Sequence, residues 1–415
     1  MLTRPSDALK LILNEVSFLS QETISLSKAL GRYLSQSLVA PIFLPPFDNS
    51  AMDGFAVRCG DINVATSDRP ISLKVVGMLK AGDDVEGMRR AMPLQQGCAV
   101  RIMTGAPIPA GTDAVIPFEE TLTPQGRGGH ETCTIPKPVR IGENIRKAGE
   151  DVQKGTCVLD KGVRLTPRNM ALLAALGFSE VSVTRLPQVA LFSTGNELKA
   201  LGSVLEPGQI YDSNGPTLSL ALQELGLKSK ILSTPQDTLQ DLLNTFQAAS
   251  EAEVILTMGA VSAGDFDLIP QALEKLGAKV LFHKLAIKPG KPLLFARWEH
   301  RFLFCLPGNP VSSLIVFDRF VRPALLKMMG ASLLFRQHYT ALALHDIKAT
   351  VGKEDYLRAR ITWKDGTFFA QLAGSQGSAH LAPLAESHAL LVVPESISQI
   401  REGEKVEFEF WSETL

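Results

Sequence analysis

The chain has few cysteines, and their distribution excludes a disulfide framework. Its 415 residues contain five cysteines, an odd number, and no C-x-x-C pair. Small disulfide-stabilised domains and structural zinc sites both need paired or closely spaced cysteines. We therefore expect a protein of the reducing cytoplasm. The cysteines are Cys59, Cys98, Cys133, Cys157 and Cys305.

The sequence also lacks an excess of charge of either sign and a long apolar run. Lysine plus arginine total 42 against 43 aspartate plus glutamate, a net charge of -1, so no overall basic field recruits nucleic acid or an anionic membrane. No apolar stretch approaches the roughly 20 residues that cross a bilayer. Near the amino terminus, apolar residues recur at helical spacing between charged ones, which predicts an amphipathic helix rather than a signal peptide. We expect a soluble protein that binds neither nucleic acid nor membrane.

Two common kinds of active site are also missing. The seven histidines show no ligand-type spacing, so we expect them to be surface or packing residues and not zinc ligands or catalytic bases. None of the glycine-rich loops described below matches G-x-x-x-x-G-K-[ST] or G-x-G-x-x-G. This disfavours a kinase-like NTPase and an ordinary dehydrogenase.

The patterning predicts a multi-domain protein of α+β and α/β class. It is helical from Asp7 to about Leu38, where "PIFLPPF" supplies three prolines and ends the region. Short β-like runs follow, then strands alternating with helices, then β-like runs again. We predict a helical and extended amino-terminal domain (1–40 plus 139–186), an inserted β-rich domain (41–138), a central α/β/α domain with a mostly parallel sheet (187–330) and a carboxyl-terminal β domain (331–415).

Three loops that follow strands of the central domain concentrate the unusual residues. They are "LFSTGNEL", "LTMGAVSAGDFD" and "CLPGNPVSS". In open parallel sheets, ligands bind outside the carboxyl ends of the strands, where such loops lie. In the third loop, Asn309 is the expected N-cap and Pro310 the first helical residue, so that free amide groups face the loop. A single loop of this kind can be a tight turn without a ligand. Three at one edge of a sheet predict a binding site.

A turn with two lysines belongs to the same domain. "LAIKPGKPLLF" places Lys288 and Lys291 around a Pro-Gly turn between two apolar runs. Taken alone, the turn is most simply a solvated hairpin tip. Beside the three loops, its ammonium groups are expected to hold phosphate or a similar oxyanion.

Acidic residues in these loops would repel a polyanion unless a cation lies between them. Because Mg²⁺ commonly joins carboxylates to substrate phosphates, Glu197 and Asp267 are candidate ligands. Asp267 could instead cap the helix that follows it. In the front half, Asp48 and Asp53 share a Pro- and Gly-rich loop, where stabilisation of the turn is the alternative to a functional role.

Several motifs follow one another across nearly the whole chain: "DNSAMDGFAVR", "RIMTGAP", "NIRKAGEDV", "STGNEL", "GQIYDSN", "IKPGKP", "LPGNPVSS" and "GSQGSAHL". In this order they resemble the molybdopterin molybdenumtransferase family, the bacterial MoeA proteins and the carboxyl-terminal part of gephyrin. The central domain alone also resembles molybdopterin-binding modules of other proteins. The motifs "DNSAMDG" and "RIMTGAP" lie outside the central domain, and they favour the molybdenumtransferase family over those modules.

The resemblance implies an elongated homodimer, with each active site between the central domain of one subunit and the amino-terminal β unit of the other. It implies Mg²⁺-dependent insertion of molybdate into adenylylated molybdopterin with release of AMP, a step of molybdenum cofactor biosynthesis. The expected partners are the molybdopterin adenylyltransferase and downstream cofactor-handling proteins.

The resemblance also implies a set of site residues. Glu197 and Asp267 are assigned to Mg²⁺ and the activated phosphate, and Lys288, Lys291 and Arg101 to anionic oxygens. Catalytic roles are expected for Asp53, Thr104, Glu197, Asp237 and Asp267. Binding of the substrates is expected from Arg101, Ser193, Thr194, Gly195, Gly259, Ser262, Gly264, Lys288, Lys291, Pro307, Gly308, Asn309, Pro310 and Ser312.

One segment departs from the family pattern. Where the family has Ser-Gly-Gly-Val-Ser, this chain has Met258-Gly259-Ala260-Val261-Ser262. If the second glycine of the pattern takes φ > 0 or lets a phosphate approach the backbone, the methyl group of Ala260 hinders that conformation or that approach. Met258 lacks the hydroxyl group of the serine in the pattern and could fill part of the pocket. A non-catalytic or impaired paralogue, binding molybdopterin or acting as a scaffold, is therefore the alternative. A sugar- or nucleotide-processing α/β enzyme is a third interpretation, but it leaves the front motifs unexplained.

Overall fold

The computed structural model describes residues 2–83, 93–123, 131–261 and 268–411. Two short 3₁₀ helices span Leu26–Lys28 and Phe118–Glu120, and a π-helical segment spans Phe317–Val321. The α-helices are α1 (Pro5–Glu15), α2 (Cys59–Ile62), α3 (Pro167–Ala175), α4 (Asn214–Glu224), α5 (Leu239–Ala248), α6 (Leu268–Lys275), α7 (Pro310–Val316), α8 (Arg322–Met328) and α9 (Leu381–Ala385).

The strands are numbered in chain order. Those before the central domain are β1 (Gln21–Ser25), β2 (Leu38–Val39), β3 (Asn49–Ser50), β4 (Gly54–Val57), β5 (Ile71–Leu79), β6 (Cys98–Ile102), β7 (Ala114–Pro117), β8 (Thr132–Ile135), β9 (Ile145–Arg146), β10 (Cys157–Leu159) and β11 (Glu180–Thr184). Those that follow are β12 (Val189–Ser193), β13 (Leu198–Lys199), β14 (Ile210–Tyr211), β15 (Ser229–Ile231), β16 (Val254–Met258), β17 (Lys279–His283), β18 (Ile287–Lys288), β19 (Leu294–Trp298), β20 (Arg301–Leu306), β21 (Tyr339–Ala343), β22 (Ile347–Lys348), β23 (Glu354–Lys364), β24 (Thr367–Leu372), β25 (Ala389–Val393), β26 (Gln399–Ile400) and β27 (Lys405–Phe410).

The chain forms two compact units. Unit 1 consists of residues 1–36, 161–167 and 180–415, and unit 2 of residues 37–160 and 168–179. Unit 1 contains a six-stranded sheet of order β15-β12-β16-β20-β19-β17. Its first four strands are parallel, and β19 and β17 are antiparallel. This is the mostly parallel sheet that the alternating pattern predicts.

Helices cover both faces of this sheet because its strands are apolar on both sides. β12 and β16 are buried along their whole length. Leu191 packs in a core with Leu222 of α4 and Ile315 of α7, whereas its neighbour Phe192 packs in a second core with Phe246 of α5. Successive strand residues point to opposite faces, so the two cores lie on opposite sides. The predicted α/β/α layering is confirmed.

The carboxyl-terminal part of unit 1 is a small β-barrel. Strands β23, β24, β21, β27 and β25 pair in that order, and β25 pairs again with β23 to close the ring. Aromatic side chains fill its core around Phe408, which stacks on Tyr339 at 5.5 Å and meets Phe368 edge-on at 5.3 Å. The Asp365-Gly366 turn joins β23 to β24 as predicted, with φ of 49° and 78°.

Unit 2 is β-rich, as the front half of the sequence predicts. It contains a five-stranded sheet of order β7-β4-β6-β5-β8. Apolar side chains of its strands form two cores, one with Phe55 and Ile116 and one with Val100 and Val115. Strand alternation therefore buries side chains on both faces of this sheet.

The prediction of helix from Asp7 to about Leu38 is wrong beyond α1. Val16 is extended, with φ of -82° and ψ of 137°, and the helix ends before it. Residues of β1 then pair antiparallel with β11, Gln21 opposite Thr184 and Ser25 opposite Glu180. A partner strand distant in the sequence decides this conformation, and local spacing carries no signal of it. Among the described residues, no helix has both the length and the apolarity that crossing a membrane requires.

Removing the side chain of Phe295 should destabilise the central domain strongly. Phe295 is fully buried and lies within 4.7–6.1 Å, ring centroid to centroid, of Phe304, Phe282 and Phe302. We expect Phe295→Ala to lower the free energy of unfolding by about 3–5 kcal/mol, measured by urea denaturation followed by circular dichroism. Phe335→Ala is the matched control, because Phe335 is 55% exposed. Equal effects of the two substitutions would contradict this description of the core.

Candidate functional site

Three parallel strands of unit 1 end at the same level. Ser193, Met258 and Leu306 are register partners in β12, β16 and β20. The pairing continues one residue further, because the Thr194 amide donates to the Met258 carbonyl at 2.8 Å and the Gly259 amide to the Leu306 carbonyl at 3.1 Å. The three predicted loops therefore begin side by side.

The strand order creates a crevice between the first two loops. In the sheet, β15 and β16 lie on opposite sides of β12. The chain passes from β12 through α4 to β15 on one side, and then through α5 to β16 on the other side. Ligands of open α/β sheets bind at such a reversal, outside the carboxyl ends of the strands.

A cavity of about 960 Å³ occupies this position. Its size is that of small-molecule sites in proteins. The predicted site residues that line it are Thr194, Gly195, Glu197, Asp237, Gly259, Pro307, Gly308, Asn309 and Pro310. The lining also includes Asn196, Leu198, Ile210, Tyr211, Asp212, Ser213, Asn214, Met258, Ala260, Val261, Leu268, Pro292 and Ala379.

Gly259 packs too closely against the first loop to be replaced. Its φ is 99°, and a Cβ atom would lie 2.7 Å from both the carbonyl and the hydroxyl oxygen of Thr194. Only glycine tolerates this combination of dihedral and contact. The backbones of the two loops thus meet without side chains between them.

Asp212 is a site residue that the sequence reasoning missed, although the quoted motif "GQIYDSN" contains it. One carboxylate oxygen accepts hydrogen bonds from the amides of Asn214 and Gly215 at 3.0 and 3.1 Å, at the start of α4. The other accepts the Ser193 hydroxyl at 2.8 Å. Ser193 is only 2% exposed and is absent from the lining, so its contact with Asp212 joins the strand end to the helix start.

Three carboxylates, those of Glu197, Asp212 and Asp237, belong to the lining. Asn196 and Asp237 hold each other by reciprocal hydrogen bonds of 3.3 and 3.2 Å. In the described part of the chain, no group of three or more acidic, histidine or cysteine side chains is close enough to hold a metal ion. Such carboxylates suit Mg²⁺, which keeps several waters and takes one or two carboxylates together with substrate phosphates. The expected residues Ser262, Gly264 and Asp267 lie outside the described residues.

The third loop leads into α7 as predicted, with one difference. Asn309 occupies the N-cap position and Pro310 begins the helix. The Asn309 side chain does not cap the helix; its amide donates to the Ser378 hydroxyl at 3.1 Å. The side-chain amide of Asn214 also donates to the Gly308 carbonyl at 2.7 Å, so this loop is held from both sides. Ser312 is 4% exposed and does not reach the cavity.

A loop of the barrel, residues 374–380, forms one wall of the cavity through Ala379. Arg358 holds this loop: its guanidinium donates to the carbonyls of Ser375, Gly377 and His380 at 2.8–3.1 Å. Arg358 is 1% exposed, and burial lowers the pKa of its guanidinium. The sequence reasoning quoted "GSQGSAHL" but assigned it no role, because Arg358 lies in a distant strand.

The turn of residues 288–291, here the lysine turn, borders the cavity through the adjoining Pro292. Gly290 has φ of 107°, and a Cβ atom there would lie 2.6 Å from the Val316 side chain of α7. Lys288 and Lys291 are both exposed and are not part of the lining. The Lys288 ammonium donates to the Thr350 hydroxyl at 3.0 Å.

Unit 2 brings its own predicted residues together. A carboxylate oxygen of Asp53 accepts the amide and hydroxyl of Thr104 at 2.6 and 2.7 Å. These bonds, with the charge of Arg101, lower the pKa of the Asp53 carboxyl. Arg101 in turn lies over the Phe118 ring at 5.6 Å. Asp48 instead accepts the Lys147 ammonium at 2.8 Å and the Ala148 amide at 2.9 Å, and so joins its loop to a segment distant in the sequence.

Comparison with known proteins decides the family. Residues 3–177 match the model of the MoeA N-terminal region (domain I and II), residues 190–327 that of a probable molybdopterin binding domain, and residues 340–411 that of the MoeA C-terminal region (domain IV). A molybdopterin molybdenumtransferase of Haemophilus influenzae is 38% identical over 408 residues, 97% of each chain. The chain belongs to the MoeA family of molybdopterin molybdenumtransferases.

Further members of this family support the same assignment. Molybdopterin molybdenumtransferase 2 of Mycobacterium tuberculosis is 37% identical over 393 residues, 93% of this chain and 94% of that one. The crystal structure of the molybdopterin biosynthesis moeA protein from Pyrococcus horikoshii OT3 has a TM-score of 0.81 at 30% identity and covers 99% of this chain and 100% of that chain. The protein is thus an enzyme of molybdenum cofactor biosynthesis.

The two residues that depart from the MoeA pattern have different surroundings. Ala260 lines the cavity with φ of 48°, the left-handed conformation that favours glycine. Met258 also borders the cavity, but it is 1% exposed and its side chain belongs to the core on the α4 face. A serine in place of Met258 would therefore remove core packing, and Ala260 is the position to test by itself.

Replacing Ala260 by glycine should strengthen binding of the pterin substrate. The change removes a methyl group from the cavity lining, which makes room for the ligand. It also relieves backbone strain of roughly 1 kcal/mol, which raises the stability of the free and the bound protein alike. We expect affinity for molybdopterin to rise by about fivefold, the effect of relieving roughly 1 kcal/mol of overpacking, with molybdate affinity nearly unchanged, as measured by calorimetry. Asp365→Gly is the control, because Asp365 has φ of 49° in a barrel hairpin. Unchanged or weaker pterin binding in Ala260→Gly would show that the loop already accommodates alanine.

Proposed function

We propose that this enzyme inserts molybdate into adenylylated molybdopterin and releases AMP in a Mg²⁺-dependent reaction. The observation that carries the proposal is the cavity at the strand-order reversal, where three loops meet in register. An adenylylated pterin presents phosphates and a dithiolene, and its co-substrate is an oxyanion. Main-chain amides, carboxylates and a nearby lysine turn are the groups that such substrates require.

Polar groups of the three loops are proposed to orient the pterin nucleotide. Thr194 and Gly259 directly follow β12 and β16, and Gly308 lies two residues past the end of β20; all three line the cavity. Close approach of a phosphate to main-chain amides is possible there because Gly259 has no side chain. Asp212 and Asn214 keep the first and third loops in place through Ser193 and Gly308.

Glu197 and Asp267 are proposed to hold the magnesium ion. When bound, Mg²⁺ would neutralise charge on the substrate phosphates and on the phosphate group that leaves as AMP. Glu197 is exposed in the cavity, so its carboxylate is available to a hydrated ion. Lys288, Lys291 and Arg101 are assigned to anionic oxygens, and Asp53, Thr104 and Asp237 to catalytic roles, on the family resemblance.

Molybdopterin binding without turnover is the second candidate function. The observation in its favour is Ala260, whose left-handed φ and methyl group lie in the cavity lining. The retained carboxylates Glu197 and Asp237 argue for turnover, because binding alone does not require acids near a polyanion.

Turnover should depend on both magnesium and Glu197. Purified protein incubated with adenylylated molybdopterin, molybdate and Mg²⁺ should release AMP and activate a reporter apoenzyme, and a chelator should stop both. We expect Glu197→Gln to lower the AMP release rate by about 100-fold or more. Glu251→Gln is the matched control, because Glu251 is an exposed acid at the opposite end of the strands. Pterin binding without AMP release in the unaltered protein would instead support the second candidate.

A homodimer is proposed on the family resemblance, with Asp53 of one subunit serving the site that contains Glu197 of the other. Sedimentation should give twice the 44.9 kDa of one chain. Asp53→Ala and Glu197→Gln should each be inactive alone, whereas a mixture after subunit exchange should recover about one quarter of normal activity, because half the dimers then hold one intact site of two. A fully active monomer, or a mixture that stays inactive after proven exchange, would contradict the shared site.

A further inference from the structure

The backbone of Lys288 and its ammonium group both contact the same part of the barrel. Its strand β18 pairs in parallel with the start of β23, where Lys288 is the register partner of Asp355. Its ammonium group donates to the Thr350 hydroxyl at 3.0 Å. Thr350 itself is half-buried in the segment that precedes β23.

Thr350 is anchored in turn by Asp355. One carboxylate oxygen of Asp355 accepts the Thr350 amide at 2.9 Å. The other carboxylate oxygen is buried and has no hydrogen-bond partner among the described residues. Asp355 is 1% exposed, and burial raises the pKa of its carboxyl, while the Thr350 hydroxyl and the charge of Lys288 act in the opposite direction. Lys288, Thr350 and Asp355 therefore form one electrostatic unit.

The identity of the Lys288 partner matters for anion binding. A carboxylate bonded directly to the ammonium would cancel the charge that an oxyanion needs, whereas a hydroxyl orients the ammonium and leaves its charge in place. A flexible lysine side chain loses rotamer entropy when it binds an anion. Holding Lys288 beforehand reduces that loss.

We propose that Thr350, anchored by Asp355, is a positioning residue that holds the Lys288 ammonium ready for the substrate oxyanion. This inference rests on the proposed role of Lys288 in oxyanion binding. The barrel then has two roles in the site: it forms the wall at Ala379, and it positions Lys288 through Thr350.

Lys291 is the internal comparison. It lies on the same turn and is also exposed, but among the described residues Thr350 bonds Lys288 and not Lys291. Thr350 should therefore be coupled to Lys288 alone.

The test measures molybdate binding to the full-length protein by calorimetry, which needs no turnover. We expect Thr350→Val to weaken molybdate binding by about tenfold, the usual effect of losing a hydrogen bond to a charged group, and Thr350→Ser to restore it. Thr340→Val, at an exposed barrel position, is the control and should change nothing. Asp355→Asn keeps an oxygen for the Thr350 amide and should weaken binding less than Asp355→Ala.

A double-mutant cycle separates positioning from a general structural effect. In a Lys288→Ala background, Thr350→Val should have no further effect, whereas in a Lys291→Ala background it should still weaken binding by about tenfold. Equal effects in both backgrounds, or unchanged binding in Thr350→Val alone, would overturn the inference and leave the proposed function standing. If Lys288→Ala itself binds molybdate normally, the proposed role of Lys288 fails and the inference fails with it.

Discussion

The site depends on the parallel register of three strands. Backbone hydrogen bonds place Ser193, Met258 and Leu306 side by side, and the bonds from Thr194 and Gly259 extend the pairing into the loops. A slip of one residue would exchange the two faces of a strand and move its apolar side chains out of their cores. Because both faces are buried, the cores on either side fix the register, and the register fixes the cavity.

Electrostatics divides the site into regions of different character. The lining contains carboxylates and main-chain groups, whereas the lysine turn lies beside it and Arg358 lies buried behind the wall at Ala379. Lys288 and Arg358 hydrogen-bond to neutral oxygens, and Asp355 is a nearby acid that interacts with the charge of Lys288. Because Lys288 and Lys291 are exposed and Arg358 is buried, the lysine turn presents positive charge to solvent beside the cavity.

Local sequence signals predicted much of this arrangement. Alternating strands and helices gave the central sheet, Asn309 and Pro310 marked the start of α7, and Asp365-Gly366 marked a hairpin, because each depends on neighbours in the chain. The bond of Asp212 with Ser193, those of Arg358 with the 374–380 loop and that of Thr350 with Lys288 could not be predicted, since these partners lie 17 to 62 residues apart in the sequence. The extent of the amino-terminal helix failed for the same reason: β1 is stabilised by β11.

The most direct measurement is a crystal structure with adenylylated molybdopterin and molybdate, using anomalous diffraction at the molybdenum edge. We expect the phosphates of the nucleotide to lie within hydrogen-bonding distance of main-chain amides in the loops at Thr194, Gly259 and Gly308. We expect the molybdenum peak beside Lys288. A nucleotide bound outside this cavity, or a molybdenum peak away from the lysine turn, would contradict the proposed site.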